Sequence, residues 1–300
     1  MNKKLLTLLL SLLFISCTPP EEPSDTDGTN DNDTSVTDID PNDQINFPDP
    51  VLRACVEELT GKGAGDPIYA KEVADITEVN CNNVSDLTGM EFFIKTEYFA
   101  FYNNSINSLN PLSSLPNIKY LFLRGGGVAN LNDISGLTNL VDFEYLQSNL
   151  EDISILVNME KLERVWIKET KIKNISALSS LPNLKELHVS DNPTLTTLGA
   201  QFTAPKLTNL NVSNCGLTSL NELSGLPELT SLLAGDNYIS DVSFIPTLPK
   251  LETLQLSGNC IEDVSEWMAW YNKIFGTDYS PSKPDDVAEF TNGQDYAKCQ

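Results

Sequence analysis

Basic residues are scarce. The chain of 300 residues has 19 Lys and Arg against 42 Asp and Glu, a formal net charge of −23. Such a balance cannot neutralise a phosphate backbone, so nucleic acid is excluded as a partner. Histidine occurs once, at His188, and no Cys or His pair has zinc-site spacing. Metal hydrolysis and histidine-based acid–base chemistry therefore lack their usual side chains, and neither a metal nor another cofactor is expected. Gly125-Gly126-Gly127 is not followed by the Lys-Ser/Thr of a phosphate loop. Long apolar runs are missing too: Leu5 to Ile15 is far short of the about 20 residues that span a membrane.

That short run has another meaning. Lys3-Lys4 precede it and Ser16-Cys17 follow, which is the basic, apolar, small order of a secretory signal. Phe14-Ile15-Ser16-Cys17 resembles the bacterial lipobox, in which cleavage before Cys leaves that Cys to carry lipid. Residues 1–16 are thus expected to be a lipoprotein signal peptide, with Cys17 the lipidation site and its lipid the membrane contact. Cleavage removes two lysines and leaves 17 basic against 42 acidic residues, net −25. From Thr18 to Ile45 the chain has nine acids and no Lys or Arg. It cannot bury enough apolar surface to offset ordering entropy, so residues 17–45 are expected to be a disordered acidic tether extended by self-repulsion. Asp25-Thr26-Asp27-Gly28 lacks the third acid and the closing Glu of a calcium loop. Glu21, Glu22 and Asp25 resemble surface-export signals of some Gram-negative lipoproteins, which implies a surface-exposed place at the outer membrane.

After the tether a 22-residue period dominates. Thr96, Ile118, Leu140, Leu162, Leu184, Leu207, Leu229 and Leu251 are equivalent, and every step is 22 except one of 23. A shortened ninth unit begins near Ile76. Each unit reads L-x-x-L-x-L-x-x-N-x-I/L, as in Leu251, Leu254, Leu256, Asn259 and Ile261. Residues two apart, such as Leu254 and Leu256, fit the inward positions of a short strand, and successive strands stack in parallel about 4.8 Å apart. The ninth position sits at a tight turn, where a buried Asn satisfies backbone groups of the next coil. It is Asn at 104, 192, 237 and 259, but Gly126, Ser148, Thr170 and Cys215 elsewhere, so an interrupted ladder is expected. Later apolar positions, such as Val242, Ile245 and Leu248, fit a convex side of short helical or extended turns. No unit can bury its apolar face alone.

The pattern is similar to that of leucine-rich repeats. Units with Asp133-Ile134-Ser135 or Asp152-Ile153-Ser154 after the turn resemble the internalin-like class of bacterial leucine-rich repeats, and Phe47-Pro48-Asp49-Pro50 with Gly65-Asp66-Pro67-Ile68 resembles its helical N-terminal cap. The resemblance implies an α/β repeat fold, a leucine-rich-repeat solenoid with a parallel concave sheet and helical caps at both ends. It also implies binding or adhesion and no catalytic residues. The expected divisions are a cap at 46–75, about nine repeats at 76–264, and a C-terminal cap helix and tail at 265–300. Val51, Leu52, Cys55, Val56 and Leu59 fall on one face of the first cap helix, and Trp267, Tyr271, Ile274 and Phe275 on one face of the last, with Gly276 a helix stop.

With Cys17 assigned to lipid, five cysteines remain. An extracytoplasmic compartment permits disulfides, and locality favours Cys55 with Cys81 and Cys260 with Cys299, leaving Cys215 as a buried stand-in for Asn. Four cap cysteines allow three connectivities, and all five reduced is the plain alternative.

Strand alternation also lets the outward face be written. Its middle row runs Ala100, Phe122, Glu144, Trp166, His188, Asn211, Leu233, Gln255. The first five units place Tyr98, Tyr102, Tyr120, Phe122, Trp166 and His188 on this face with Arg124, Arg164 and Lys168; the last three carry mainly Asn, Ser, Thr, Gln and Gly. Aromatics and Arg are the anchors of binding surfaces. The plain alternative is that strands favour aromatics anyway and that Arg124 and Arg164 neutralise Asp142 and Glu144. The nine aromatic, basic and histidine positions are the candidate ligand-binding residues. The expected function is non-catalytic surface recognition or adhesion with a protein partner, from the host or the envelope. Glycan binding by ring stacking, or a structural envelope role without a soluble ligand, are the alternatives.

Overall fold

The computed structural model describes residues 39–199, 201–223, 225–280, 282–283 and 299. The signal peptide, Cys17 and the tether up to residue 38 lie outside them.

Among the described residues, nine strands form one parallel sheet in strict chain order. They are β1 (Glu78–Asn80), β2 (Tyr98–Asn104), β3 (Tyr120–Gly125), β4 (Asp142–Leu146), β5 (Arg164–Lys168), β6 (Glu186–His188), β7 (Asn209–Asn211), β8 (Ser231–Leu233) and β9 (Thr253–Gln255). The register follows the sequence period: Leu121 pairs with Phe143, Phe143 with Val165, Val165 with Leu187, Leu187 with Leu210 and Leu210 with Leu232. These residues are all 0–1% exposed, so each coil covers the apolar face of the next. Short 3-10 turns on the opposite side, among them Asn110–Leu112, Ser154–Asn158 and Ile245–Thr247, drop one buried apolar residue each (Leu112, Leu156, Ile245) into the same core.

A left-handed residue turns the chain out of each strand. Asn103, Gln147, Glu169, Asp191, Asn214 and Asp236 all have φ between 52° and 62°, one per coil. The next residue is the ladder position. Asn192 is fully buried; its amide donates to the carbonyls of Ile167 (2.7 Å) and Val189 (2.8 Å), and its Oδ1 accepts from the backbone N–H (2.8 Å) and hydroxyl (2.7 Å) of Thr170. Asn237 and Asn259 repeat the scheme, donating to Val212 and Ala234 in the coil before and accepting from the N–H groups of Leu217 and Ile239.

The expected interruptions are filled. Cys215 is unpaired and buried, and its thiol donates to the Val189 carbonyl at 3.3 Å as an Asn amide would. Burial pushes that thiol up to about 11. At Gly126 there is no space for a side chain: a Cβ would lie 2.7 Å from both Asn104 Oδ1 and the Ile106 carbonyl and 3.1 Å from the Tyr145 hydroxyl. Tyr145 is an inward residue of β4 only 1% exposed, and its hydroxyl stands where a side chain at Gly126 would begin, so the phenol fills the slot that Gly126 leaves.

Both ends are capped. Helix α1 (Pro50–Thr60) starts at Asp49, whose Oδ1 accepts from the N–H groups of Val51 and Leu52 and whose Oδ2 accepts from Ser85 N–H (2.6 Å) and hydroxyl (2.7 Å). Burial alone would raise this carboxyl, but the Ser85 hydroxyl and the N–H groups outweigh it and lower it to about 2. Disulfide Cys55–Cys81 ties α1 to the first coil, and Cys260–Cys299 ties the last coil to the tail. Helix α2 (Ala70–Val73) follows, and helix α3 (Ser265–Phe275) closes the far end, stopping at left-handed Gly276. Two expectations are corrected here. Order begins before residue 46: Ile45 is 1% exposed and its N–H donates to the Ile68 carbonyl. The seated helix faces are also narrower than the periodicity suggests. In α1, Leu52 and Val56 are buried while Val51 and Leu59 are exposed; in α3, Met268 and Trp270 are buried while Ile274 and Phe275 are exposed. Each cap covers a coil from one side only, so a single turn-to-turn stripe suffices.

Candidate functional site

The outward residues of β2 to β6 make one continuous surface. Tyr98, Tyr120, Asp142, Arg164 and Glu186 are in register as one row, and Ala100, Phe122, Glu144, Trp166 and His188 as the next. Arg124, Leu146 and Lys168 form a third. Tyr102 is not in register with Arg124, because the β2–β3 ladder shifts between Phe101 and Asn104.

Two aromatic clusters result. The Tyr98 ring lies 6.2 Å from Tyr120 and meets Phe122 edge-on at 5.3 Å. Trp166 stacks on His188 at 4.8 Å and 21°. The expectation that Phe122 is exposed is corrected: it is 6% exposed, covered by its neighbours, and serves as the floor on which Tyr98 rests. Tyr98, Tyr102, Tyr120, Trp166, His188 and Lys168 are half-buried, and Arg124 and Arg164 are exposed. Burial, with Lys168 adding, lowers His188 to about 4, so it is a neutral aromatic surface at physiological pH rather than a base.

The charges between the clusters are mostly engaged. Arg164 bonds Asp142, which is 4% exposed. Lys168 pairs with Asp191 at 3.5 Å. Arg124 donates through Nε to Gln147 Oε1 (2.8 Å), and Gln147 Nε2 donates to Glu169 Oε2 (2.9 Å), so the left-handed corner residues link three coils. Burial raises Asp142 to about 6 despite Arg164. Glu144 is different. Burial, reinforced by Asp142, raises it to about 7 against the pull of Arg124, Lys168 and Arg164. Of the plain alternative, in which Arg124 and Arg164 neutralise Asp142 and Glu144, the pairing of Arg164 with Asp142 is present, while Arg124 goes to Gln147. The indole N–H of Trp166, in the strand beside Glu144, is buried with no acceptor among the described residues.

A family model described as "Leucine Rich repeats (2 copies)" matches residues 205–247 and 228–267, and one described as "Leucine Rich repeat" matches residues 180–202. No curated protein sequence matches the chain. Among solved structures, the chain is similar to internalin C2 of Listeria monocytogenes, with 29% identity, a TM-score of 0.55, and coverage of 73% of this chain and 88% of that one. The fold is that of an internalin-like leucine-rich-repeat solenoid. InlP of the same bacterium shares the fold at 19% identity and TM-score 0.50, covering 71% of this chain and 58% of that one. Drosophila Toll, solved as the Toll–Spatzle complex, shares it at 14% and 0.54, covering 63% and 28%.

In an internalin-like solenoid the scaffold is fixed by the inward residues, leaving the outward ones free to carry recognition. Among the described residues no group of His, Cys, Asp and Glu is placed to hold a metal ion, and no helix is long and apolar enough to cross a membrane.

Proposed function

We propose that this chain is a non-catalytic recognition protein of the bacterial surface, anchored through lipid on Cys17, that binds a protein partner through strands β2 to β6 of its concave face. One observation carries the reading. The aromatic clusters Tyr98–Tyr120–Phe122 and Trp166–His188 stand five strands wide on a rigid sheet, and the outward residues of β7 to β9 carry no ring. Rings already held by their neighbours bury large area on binding and lose little rotamer entropy, which is the composition of an interface centre. Engaged cations around them supply an oriented polar rim. The internalin-like repeat architecture supports recognition over chemistry.

The test presents the full chain to protein and glycan arrays beside a Tyr120→Ala/Trp166→Ala variant and a Val157→Ala control, since Val157 is 48% exposed on a 3-10 turn. The expected result is a protein ligand lost with the first variant and kept by the second. A glycan lost in the same way assigns the face to sugars. A ligand kept by the first variant moves the site elsewhere on the molecule. For the anchor, Cys17→Ser is expected to abolish incorporation of radiolabelled palmitate in a bacterial host; label retained by the variant refutes lipidation there.

A further inference from the structure

Among the described residues, the carboxylate at the centre of the face has no hydrogen bond or salt bridge of its own, although Arg124, Lys168 and Arg164 lie near enough to act on it. Glu144 is in register between Phe122 and Trp166, and it is the sole acid in its row. It makes no hydrogen bond or ion pair among the described residues. Each basic side chain near it has another acceptor: Arg164 has Asp142, Lys168 has Asp191 and Arg124 has Gln147. Leaving a half-buried carboxylate unpaired is costly, and the cost is recovered only when a complementary group arrives and water leaves.

Resting on the reading of the concave face as a protein-binding surface, we propose that Glu144 is its charge-selecting point, taking one Lys or Arg side chain from a basic segment of the partner, with the Trp166 ring beside the stem of that side chain. The charge count supports a cation over an anion. The basic residues around Glu144 are Arg124 on β3 and Arg164 and Lys168 on β5. The acids are Asp142 and Glu144 on β4, Glu186 on β6, and Glu169 and Asp191 at the corners. Three positive charges thus face five acids, on a chain whose net charge is −23. A cation entering between carboxylate and indole gains ion pairing and cation–π attraction in a site that is already poorly hydrated. His188, neutral and stacked behind Trp166, adds no opposing charge.

The same geometry makes binding depend on pH. Burial holds a proton on Glu144 up to about 7, and the ligand needs the ionised form. Affinity is therefore expected to rise with pH through that value and level off above it. Asp142, raised to about 6, releases its proton earlier and only shifts the lower limb.

The test selects a displayed library of random dodecapeptides on the full chain. Binders are first sorted by whether Tyr120→Ala/Trp166→Ala abolishes them. Those that depend on the face are then measured against Glu144→Gln from pH 5.5 to 8.5. Glutamine keeps the shape of glutamate and removes the buried charge, so the variant is expected to melt no lower than the parent. The proposal expects face-dependent binders enriched in Lys or Arg, weakened about tenfold or more by Glu144→Gln, with the rise in affinity near pH 7 lost in the variant. Face-dependent binders without basic residues, or insensitive to Glu144→Gln, overturn the role of Glu144 and leave the concave reading standing. Binders that all ignore the Tyr120/Trp166 variant overturn the concave reading and this proposal with it.

Discussion

Replacing Asn192 by Ala should be among the most damaging single changes in the solenoid. The side chain is 0% exposed and joins two coils. Its loss leaves the Thr170 backbone N–H and hydroxyl without their acceptor and the Ile167 carbonyl without this donor. The Val189 carbonyl suffers less, because the Cys215 thiol also reaches it at 3.3 Å. An orphaned buried polar group costs about 1–3 kcal/mol, and water entering the vacated space recovers part of that, so the expected loss is about 3–5 kcal/mol. Urea unfolding followed by far-UV circular dichroism measures it; with a slope of about 3 kcal/mol/M the midpoint falls by about 1–1.7 M. Thr170→Val supplies the control. It removes one orphan, so the double variant should lose at least about 1 kcal/mol less than the two single losses added together. Amide exchange should show the damage centred on the coils of β5 and β6, because repeat units depend on their neighbours. A midpoint shift below about 0.3 M, or additive losses, would refute the ladder as the polar support of the core.

Other outcomes follow from the ends and the face. Chain-entropy arguments give about 3–4 kcal/mol for disulfides closing 26 and 39 residues, so Cys55→Ser/Cys81→Ser should fray the N-terminal cap first in amide exchange; unchanged protection of α1 would contradict this. Asp49→Ala removes five accepted hydrogen bonds and should cost about 2–4 kcal/mol. Because the folded carboxyl sits near 2 and the unfolded one near 4, its stabilisation is present above about pH 4 and lost as pH falls toward 2; equal losses for Asp49→Ala at pH 7 and pH 2 would contradict that. Glu144 has the opposite sign. Its folded pKa near 7 lies above the unfolded value, so the folded chain binds more protons and loses stability as pH rises from about 5 through 7. Glu144→Gln should flatten that slope in thermal melts, and an unchanged slope would place the origin elsewhere.

The repeat frame was readable because one spacing fixes everything that faces inward. Once Leu229 and Leu251 are equivalent, Leu232 and Leu254 must pair, and they do. Residues outside that arithmetic were less legible. The Tyr145 phenol fills the slot left by Gly126, and no periodic rule says that an inward tyrosine substitutes for a corner asparagine. Phe122 is outward by register yet buried, because the Tyr98 ring on the preceding strand leans over it. Alternation puts Arg164 near both Asp142 and Glu144, and only the side-chain geometry assigns it to Asp142. Alternation gives the side of the sheet; rotamers and neighbours decide who is covered and who is paired.

Site-specific photocrosslinking reports whether the concave face does the binding. A benzophenone amino acid in place of Tyr120 on the face, or of Val157 on the opposite turn, would be irradiated with the array-identified partner. A covalent adduct is expected from position 120 and none from position 157. An adduct from position 157 alone would contradict it.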